Sequence, residues 1–287
     1  MTRIRNSWEL LKASWEVLKH DKELIALPVI SAIASLIVAA TFVVPLFATD
    51  SLNTEGDIGV LTYVLLFAMY VALAYVTIFF NAALVSAAHE RLGGGDPTLR
   101  SALGGAASRA GKILPWAIVS ATVSIILRAI EERAGAVGRI VSAIAGMAWA
   151  VVTFLVLPII VIEGLGVGDA VKKSGNLFKR TWGENLAAQV GFSLIGLAAV
   201  LPAIALVAVG AGAGGALLAV GIVVAIVWVI LVAVVMAALS GIFQTALYHF
   251  ATDGSVPSTY FSNEAMSAAF APKQRRSGGF GGGIIGG

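Results

Sequence analysis

The chain has 287 residues, 59% of them hydrophobic and only 12% charged, with a formal net charge of +3. A soluble domain carries about 25% charged residues, so a chain this apolar cannot cover a water-facing surface and its solvent is lipid. The basic residues alternate with apolar runs instead of gathering into one patch, which argues against a nucleic-acid partner, and with no cysteine there is no disulfide, thiol nucleophile or thiolate metal site.

The first element is amphipathic. Ile4, Trp8, Leu11, Trp15 and Leu18 recur at four-three spacing, and Arg5, Glu9, Lys12, Glu16 and Lys19 lie off that stripe. Residues 1–22 are too polar to span a bilayer, and the two tryptophans suit the headgroup region, so the segment is expected to lie along the inner leaflet. The apolar run that follows is about 25 residues long, well beyond the ~7–15 of a cleavable signal core, and reads as a membrane span.

Lys, Arg, Asp and Glu are missing from five windows: 24–49, 58–89, 113–127, 140–162 and 185–252. A helix needs about 20 apolar residues to cross the hydrocarbon. The first four windows hold one helix each, the third reaching full length if Lys112 and Arg128 snorkel. The fifth is divided by Gly210-Ala-Gly-Ala-Gly-Gly215, giving about six spans. None of the runs alternates apolar with polar as barrel strands do. Sixteen of the nineteen Lys and Arg fall before helix 1, between 2 and 3, between 4 and 5, or after 6; only Arg128, Arg133 and Arg139 fall on the other side. That bias places both termini in the cytoplasm of a cell (inner) membrane protein.

Segments like the first precede helices 3 and 5, at about 97–111 and 169–183. Leu99, Leu103 and Ala106 supply the stripe of one, and Val171, Phe178 and Trp182 that of the other, with Asp96 and Asp169 as expected N-caps. Their approaches align without a gap: His89-Glu-Arg-Leu-Gly-Gly-Gly-Asp-Pro97 lies over Ile162-Glu-Gly-Leu-Gly-Val-Gly-Asp-Ala170, and His249-Phe-Ala-Thr-Asp-Gly-Ser-Val-Pro257 fits the same frame. The predicted fold class is therefore all-α, a polytopic membrane bundle of about six transmembrane helices in three hairpins, each preceded by an amphipathic interfacial helix. Chance similarity of Gly-rich turns is the competing reading. The membrane domain covers 23–252, and 253–287 is a cytoplasmic tail expected to be disordered from about 274.

Chemistry is sparse. Gly164-Leu-Gly-Val-Gly168 has dinucleotide-loop spacing, but a membrane helix stands where the buried strand should be. His20, His89 and His249, with Glu90 and Glu163, map to one membrane surface and would offer metal ligands if a three-fold arrangement brought them together. No HxxxH or HExxH spacing supports a metal, and polar residues ending helices is the plainer reading. Glu131 and Glu132 are adjacent on a helix and do not face each other. The spans hold only neutral polar groups, chiefly Asn81, Gln189 and Gln244, which suit contacts between helices; the absence of intramembrane charge weighs against ion-coupled transport. Catalytic, cofactor and metal residues are therefore expected to be none, and membrane-interface residues Trp8, Trp15 and Trp182.

Several stretches resemble one family: Ser7-Trp8-Glu-Leu-Leu-Lys-Ala-Ser-Trp15-Glu-Val-Leu-Lys-His-Asp21, Glu90 to Pro97, Trp116 to Ser124, Glu163 to Gly166, Arg180-Thr-Trp-Gly-Glu184 and Ala269-Phe-Ala-Pro-Lys273. It is an uncharacterised family of prokaryotic six-span integral membrane proteins, and the likeness runs over about 3–273. It implies fold and location and no activity. More distantly, the interfacial-helix-plus-hairpin pattern looks like the membrane region of some glycerophosphodiester phosphodiesterases, whose catalytic domain has no counterpart here. The sequence does not define an activity. The expectation is a non-enzymatic protein that organises the membrane or assists a partner; the alternative is a passive pore or carrier for a small neutral solute. Expected partners are the bilayer, anionic lipid headgroups, and a protein partner or second copy of the chain; no nucleic acid and no cofactor are expected.

Overall fold

The computed structural model describes residues 2–48, 60–133, 135–182, 187–257, 260–261 and 266. It is helical throughout, with no strand among the described residues. The helices are α1 (Thr2–His20), α2 (Glu23–Ala48), α3 (Val60–Leu92), α4 (Leu99–Ala107), α5 (Ala110–Arg133), α6 (Gly135–Thr153), α7 (Val156–Pro158, continued by a π turn, Ile159–Glu163), α8 (Val167–Trp182), α9 (Ala187–Ala213) and α10 (Gly215–Asp253). Six helices are long and apolar enough to cross a membrane, with α6, α7 and the π turn forming one of them.

The longest charge-free window divides at Gly214, whose positive φ of 73° glycine adopts without steric cost. Gly210 and Gly221 have a different use. A Cβ on Gly221 would sit 2.9 Å from the Leu206 carbonyl oxygen, and one on Gly210 2.9 Å from that of Leu217. Missing side chains let α9 and α10 touch backbone to backbone. Of the Gly210 and Gly214 pair, the first packs and the second turns.

The core lies toward one end of the bundle. Its buried residues include 82–85, 87 and 88 of α3, the turn from Leu155 to Val161, and Ala238, Leu239, Ile242, Phe243 and 245–249 of α10. Alanines 82, 83, 87, 88, 238 and 246 are fully or almost fully buried, and small side chains allow this close approach where lipid supplies no hydrophobic drive. α3 and α10 touch each other and most other elements, α2 packs on α3, α5 on α6, and α9 on α10.

The fourth span is broken for a readable reason. Pro158 has no N–H, so the Phe154 carbonyl loses its helical partner. The Gln244 amide of α10 donates to that carbonyl instead. The Leu155 N–H, also released by the break, donates to Ser174 Oγ of α8 at 3.2 Å. Two orphan groups are thus satisfied by side chains of other helices, as the bilayer requires. Gln244→Leu should cost about 1–2 kcal/mol and no more, because the carbonyl also finds partners in the unfolded span. Denaturant unfolding in mild detergent measures this, and an unchanged midpoint would remove Gln244 from the account.

Helices α4 and α8 are placed by their apolar stripes. In α4, Ala102 and Ala106 are buried and Leu99 and Leu103 flank them; in α8, Ala170 and Ser174 are buried with Val171, Leu177 and Phe178 beside them. Neither N-cap is the expected aspartate. Thr98 caps α4 in a reciprocal box with Ser101, the Ser101 N–H donating to Thr98 Oγ1 at 3.1 Å and the Thr98 N–H to Ser101 Oγ at 3.0 Å. Asp96 instead pairs with Arg91. α8 begins two residues before Asp169, leaving that carboxylate in the first turn, where the helix dipole favours it.

Candidate functional site

Polar side chains gather at the core end of the bundle and link its elements into a belt. At the α1–α2 corner, buried Asp21 accepts two hydrogen bonds from the Arg91 guanidinium at the end of α3. Arg91 Nη2 also donates to Asp96 Oδ1 at 2.7 Å, tying down the Gly93–Gly95 turn. Glu23, in the first turn of α2, accepts from the Leu99 N–H at 2.6 Å and so holds the start of α4. Glu90 accepts from Ser101 Oγ at 2.8 Å.

The other side of the belt is built on the π turn. Glu163 ends that turn, and both its carboxylate oxygens are engaged: Oε1 accepts from the Tyr248 hydroxyl of α10 at 2.6 Å, and Oε2 from Lys173 Nζ of α8 at 2.5 Å. Two basic residues bond the carbonyls of the same turn. Arg109 Nε donates to Val161 O at 3.2 Å, and Lys112 Nζ donates to Gly164 O. Gly164 has φ of 68°, and a Cβ there would lie 2.7 Å from the Arg109 guanidinium. A π turn places one extra residue in a helix and often marks a functional position. Here it swings Glu163 to meet α8 and α10 together.

Between the two halves, His89 Nδ1 lies 2.9 Å from His249 Nε2, with the rings within 8° of parallel. His249 Nδ1 faces Asp253 Oδ2 at 3.4 Å. His20 stays apart, its ring 5.5 Å from that of Tyr260 and its Nδ1 at 2.8 Å from the Glu16 carbonyl. Val256, Phe261 and Met266 are buried, so the chain beyond α10 packs back against the bundle.

The expected interface residues divide. α1 presses Leu10, Leu11, Ser14, Val17 and Leu18 against its neighbours, and Trp8 and Trp15 lie on the flank of that face at 47% and 38% exposure. The helix carries two adjacent apolar strips, one toward protein and one of tryptophan, where the sequence suggests a single stripe. Lys12 reaches over the Trp8 ring at 5.8 Å. The side chains of Trp182 and Gln189 lie outside the described residues. Asn81 is exposed on α3, and Gln244 bonds the Phe154 carbonyl. Glu131 and Glu132 are both exposed at the end of α5. Among the described residues no three His, Cys, Asp or Glu side chains are grouped to hold a metal ion. The pairing of Asp21 with Arg91 and of Tyr248 with Glu163 is not anticipated by spacing, since 70 and 85 residues separate the partners.

These features define an all-helical protein with six membrane-length apolar helices and a polar belt at one end of its core. The chain belongs to a protein family of unknown function, DUF6159, whose profile matches residues 60–258. The match takes in α3 to α10, and with them every belt residue except those of the α1–α2 corner. No curated protein matches the chain.

Proposed function

We propose that this protein is a non-enzymatic, multi-pass component of a prokaryotic cell membrane that organises the cytoplasmic leaflet or holds a partner there. The observation that carries the reading is the use to which the belt is put. Asp21, Glu23, Glu90, Arg91, Arg109, Lys112, Glu163 and Lys173 each bond another element of the same chain. These groups act as a frame, and an enzyme or coupled transporter would need some of them turned toward a substrate.

The face outside that frame suits lipid. α1 offers Trp8, Lys12, Trp15 and Lys19 along one side, and α8 offers Lys172 and Lys179, all exposed. Tryptophan with interspersed lysine favours the headgroup region and anionic lipid. The three-unit arrangement, in which α1, α4 and α8 lie along the leaflet and introduce the hairpins α2–α3, α5–α6 and α9–α10, belongs to the same proposal. In favour of the frame that aligns its units, Gly94 and Gly254 fall opposite each other and both have left-handed φ, 86° and 73°.

The competing reading is a passive pore for a small neutral solute. Gln244, one of three amides available to line it, is committed to Phe154, and the groove of about 600 Å³ between α9 and α10 is lined by Val, Ile and Ala alone. Liposomes carrying the protein should swell in glycerol or urea no faster than empty ones; a rate several-fold higher would replace the scaffold by the pore. Orientation is tested by single cysteines in this cysteine-free chain. Glu132→Cys is expected to react with an impermeant thiol reagent on intact cells, and Asn176→Cys only after permeabilisation. Ser174, buried against Leu155, is unsuitable as a label site despite its polar sequence context.

A further inference from the structure

The histidine contact at the belt has a protonation rule built into it. An imidazole nitrogen donates only when it carries hydrogen and accepts only when it does not. At 2.9 Å, His89 Nδ1 and His249 Nε2 therefore need one hydrogen between them. Asp253 can only accept, and its carboxylate beside His249 Nδ1 favours hydrogen on that atom. His249 Nε2 is then the acceptor and His89 Nδ1–H the donor, which leaves His89 Nε2 bare. This tautomer assignment follows from the bonding network.

A first added proton goes to that bare nitrogen and leaves the contact intact. A second has to occupy His249 Nε2, setting donor against donor and two cationic rings with centroids 5.0 Å apart. The surroundings balance only the first. On α3, Glu90 is bonded to Ser101, and Arg91 is held by Asp21 and Asp96. On α10, Tyr248 donates to Glu163, which Lys173 of α8 also engages. Glu23 at the start of α2 is taken by Leu99, and at the end of α1 Lys19 pairs with Glu16 while His20 packs on Tyr260. Among the described residues, Asp253 is the carboxylate that meets the pair.

We propose that His89 and His249 form a pH-operated latch between the ends of α3 and α10, closed when the pair holds no extra proton or one and open when it holds two. The contact joins two helices 160 residues apart in sequence, at the end of the bundle where the core lies. Imidazole titrates near pH ~6.5 in the absence of other effects. The first proton is tolerated, so the latch contact holds through that range and is lost only below it, where the second proton is forced on. Release frees the end of α10 and the segment carrying Val256 and Phe261, which packs on the same core.

The test uses the full chain in lipid nanodiscs with spin labels on Arg100→Cys and Ser255→Cys, both exposed positions. At pH ~8 the label distances should form one short population, and a longer one should exceed it by about pH 4.5, two units below the imidazole reference. His89→Gln offers an amide N–H to neutral His249 Nε2 and, once turned, its amide oxygen to the protonated ring, so its distances should not respond to pH. His249→Gln should behave the same way, and serves if the first variant does not fold. A wild-type distribution unchanged over this range overturns the latch. So does a shift of wild-type size in either glutamine variant, which would assign the movement to a carboxylate such as Asp253.

Discussion

Gly221→Leu should separate α9 from α10 and abolish the stable fold of that pair, while Gly212→Leu on the same pair should be tolerated. At Gly221 a Cβ would stand 2.9 Å from the Leu206 carbonyl oxygen, with the Gly210 Cα at 3.7 Å. Both are backbone atoms, so no side chain can swing aside and one helix has to move. Overpacking a filled contact costs about 1–3 kcal/mol and sometimes more, and a leucine at a backbone crossing belongs at the upper end. Apart from this crossing, the Trp228 indole of α10 donates to the Ala199 carbonyl of α9 at 2.8 Å. Leu197, Leu201, Ile204, Leu217, Val220 and Val223 are all exposed, and Ala203 and Ala225 are among the few buried neighbours. A Cβ at Gly212 meets nothing within 4 Å. Size-exclusion profiles and denaturant unfolding in mild detergent would show the contrast. Equal behaviour of the two variants would mean that the close approach contributes nothing.

The number of helices long and apolar enough to cross a membrane was legible in the sequence because it depends on composition alone. Charge-free windows of bilayer length need no tertiary information, and Gly210 to Gly215 marked the break within the longest of them. The inner structure of the fourth span was less accessible. Pro158 announces a disturbed helix, but the groups that repair it, Gln244 and Ser174, come from α10 and α8. Gln244 was recognisable as an intramembrane amide, and its partner was not. For α1 the period of the apolar residues was clear, yet Leu10 and Val17 turn toward protein and Trp8 and Trp15 stay exposed. An apolar stripe can be shared between a buried side and an exposed one, and hydropathy does not distinguish them. At the start of α4, Asp96 was the expected cap by residue type, but Arg91 draws the aspartate away and Thr98 caps the helix.

The belt itself was half visible. Aligning the helix ends put His89 opposite His249 and drew attention to Glu90 and Glu163, and the two histidines do meet. The alignment gave no sign that Glu163 would bond Tyr248, because tyrosine has no counterpart at the matching place before His89, where Ala88 stands. Nor did it mark the Asp21 and Arg91 pair, since Asp21 lies outside the aligned segments. Long-range pairing between helix ends is set by how the bundle packs, which a single sequence leaves open.

Arg91→Leu should be the most damaging single change in the belt. Asp21 is 6% exposed and its two carboxylate oxygens both accept from Arg91, in the bidentate arrangement that only a guanidinium provides. Removing the arginine leaves a buried carboxylate without its counter-charge, which costs about 3–5 kcal/mol where burial is complete. Arg91 retains 19% exposure, so water reaches the site in part and a loss near ~3 kcal/mol is expected. The corner between α1 and α2 would then detach from the end of α3, and the loop held through Asp96 would loosen with it. Arg91→Lys should lose much less, keeping the charge and one of the two bonds. Combining Arg91→Leu with Asp21→Asn should recover part of the loss, because the buried group is then neutral. A double-mutant cycle by denaturant unfolding in detergent measures the coupling. If the two single losses simply add, the pair is not interacting and the belt does not anchor α1 and α2 through this contact.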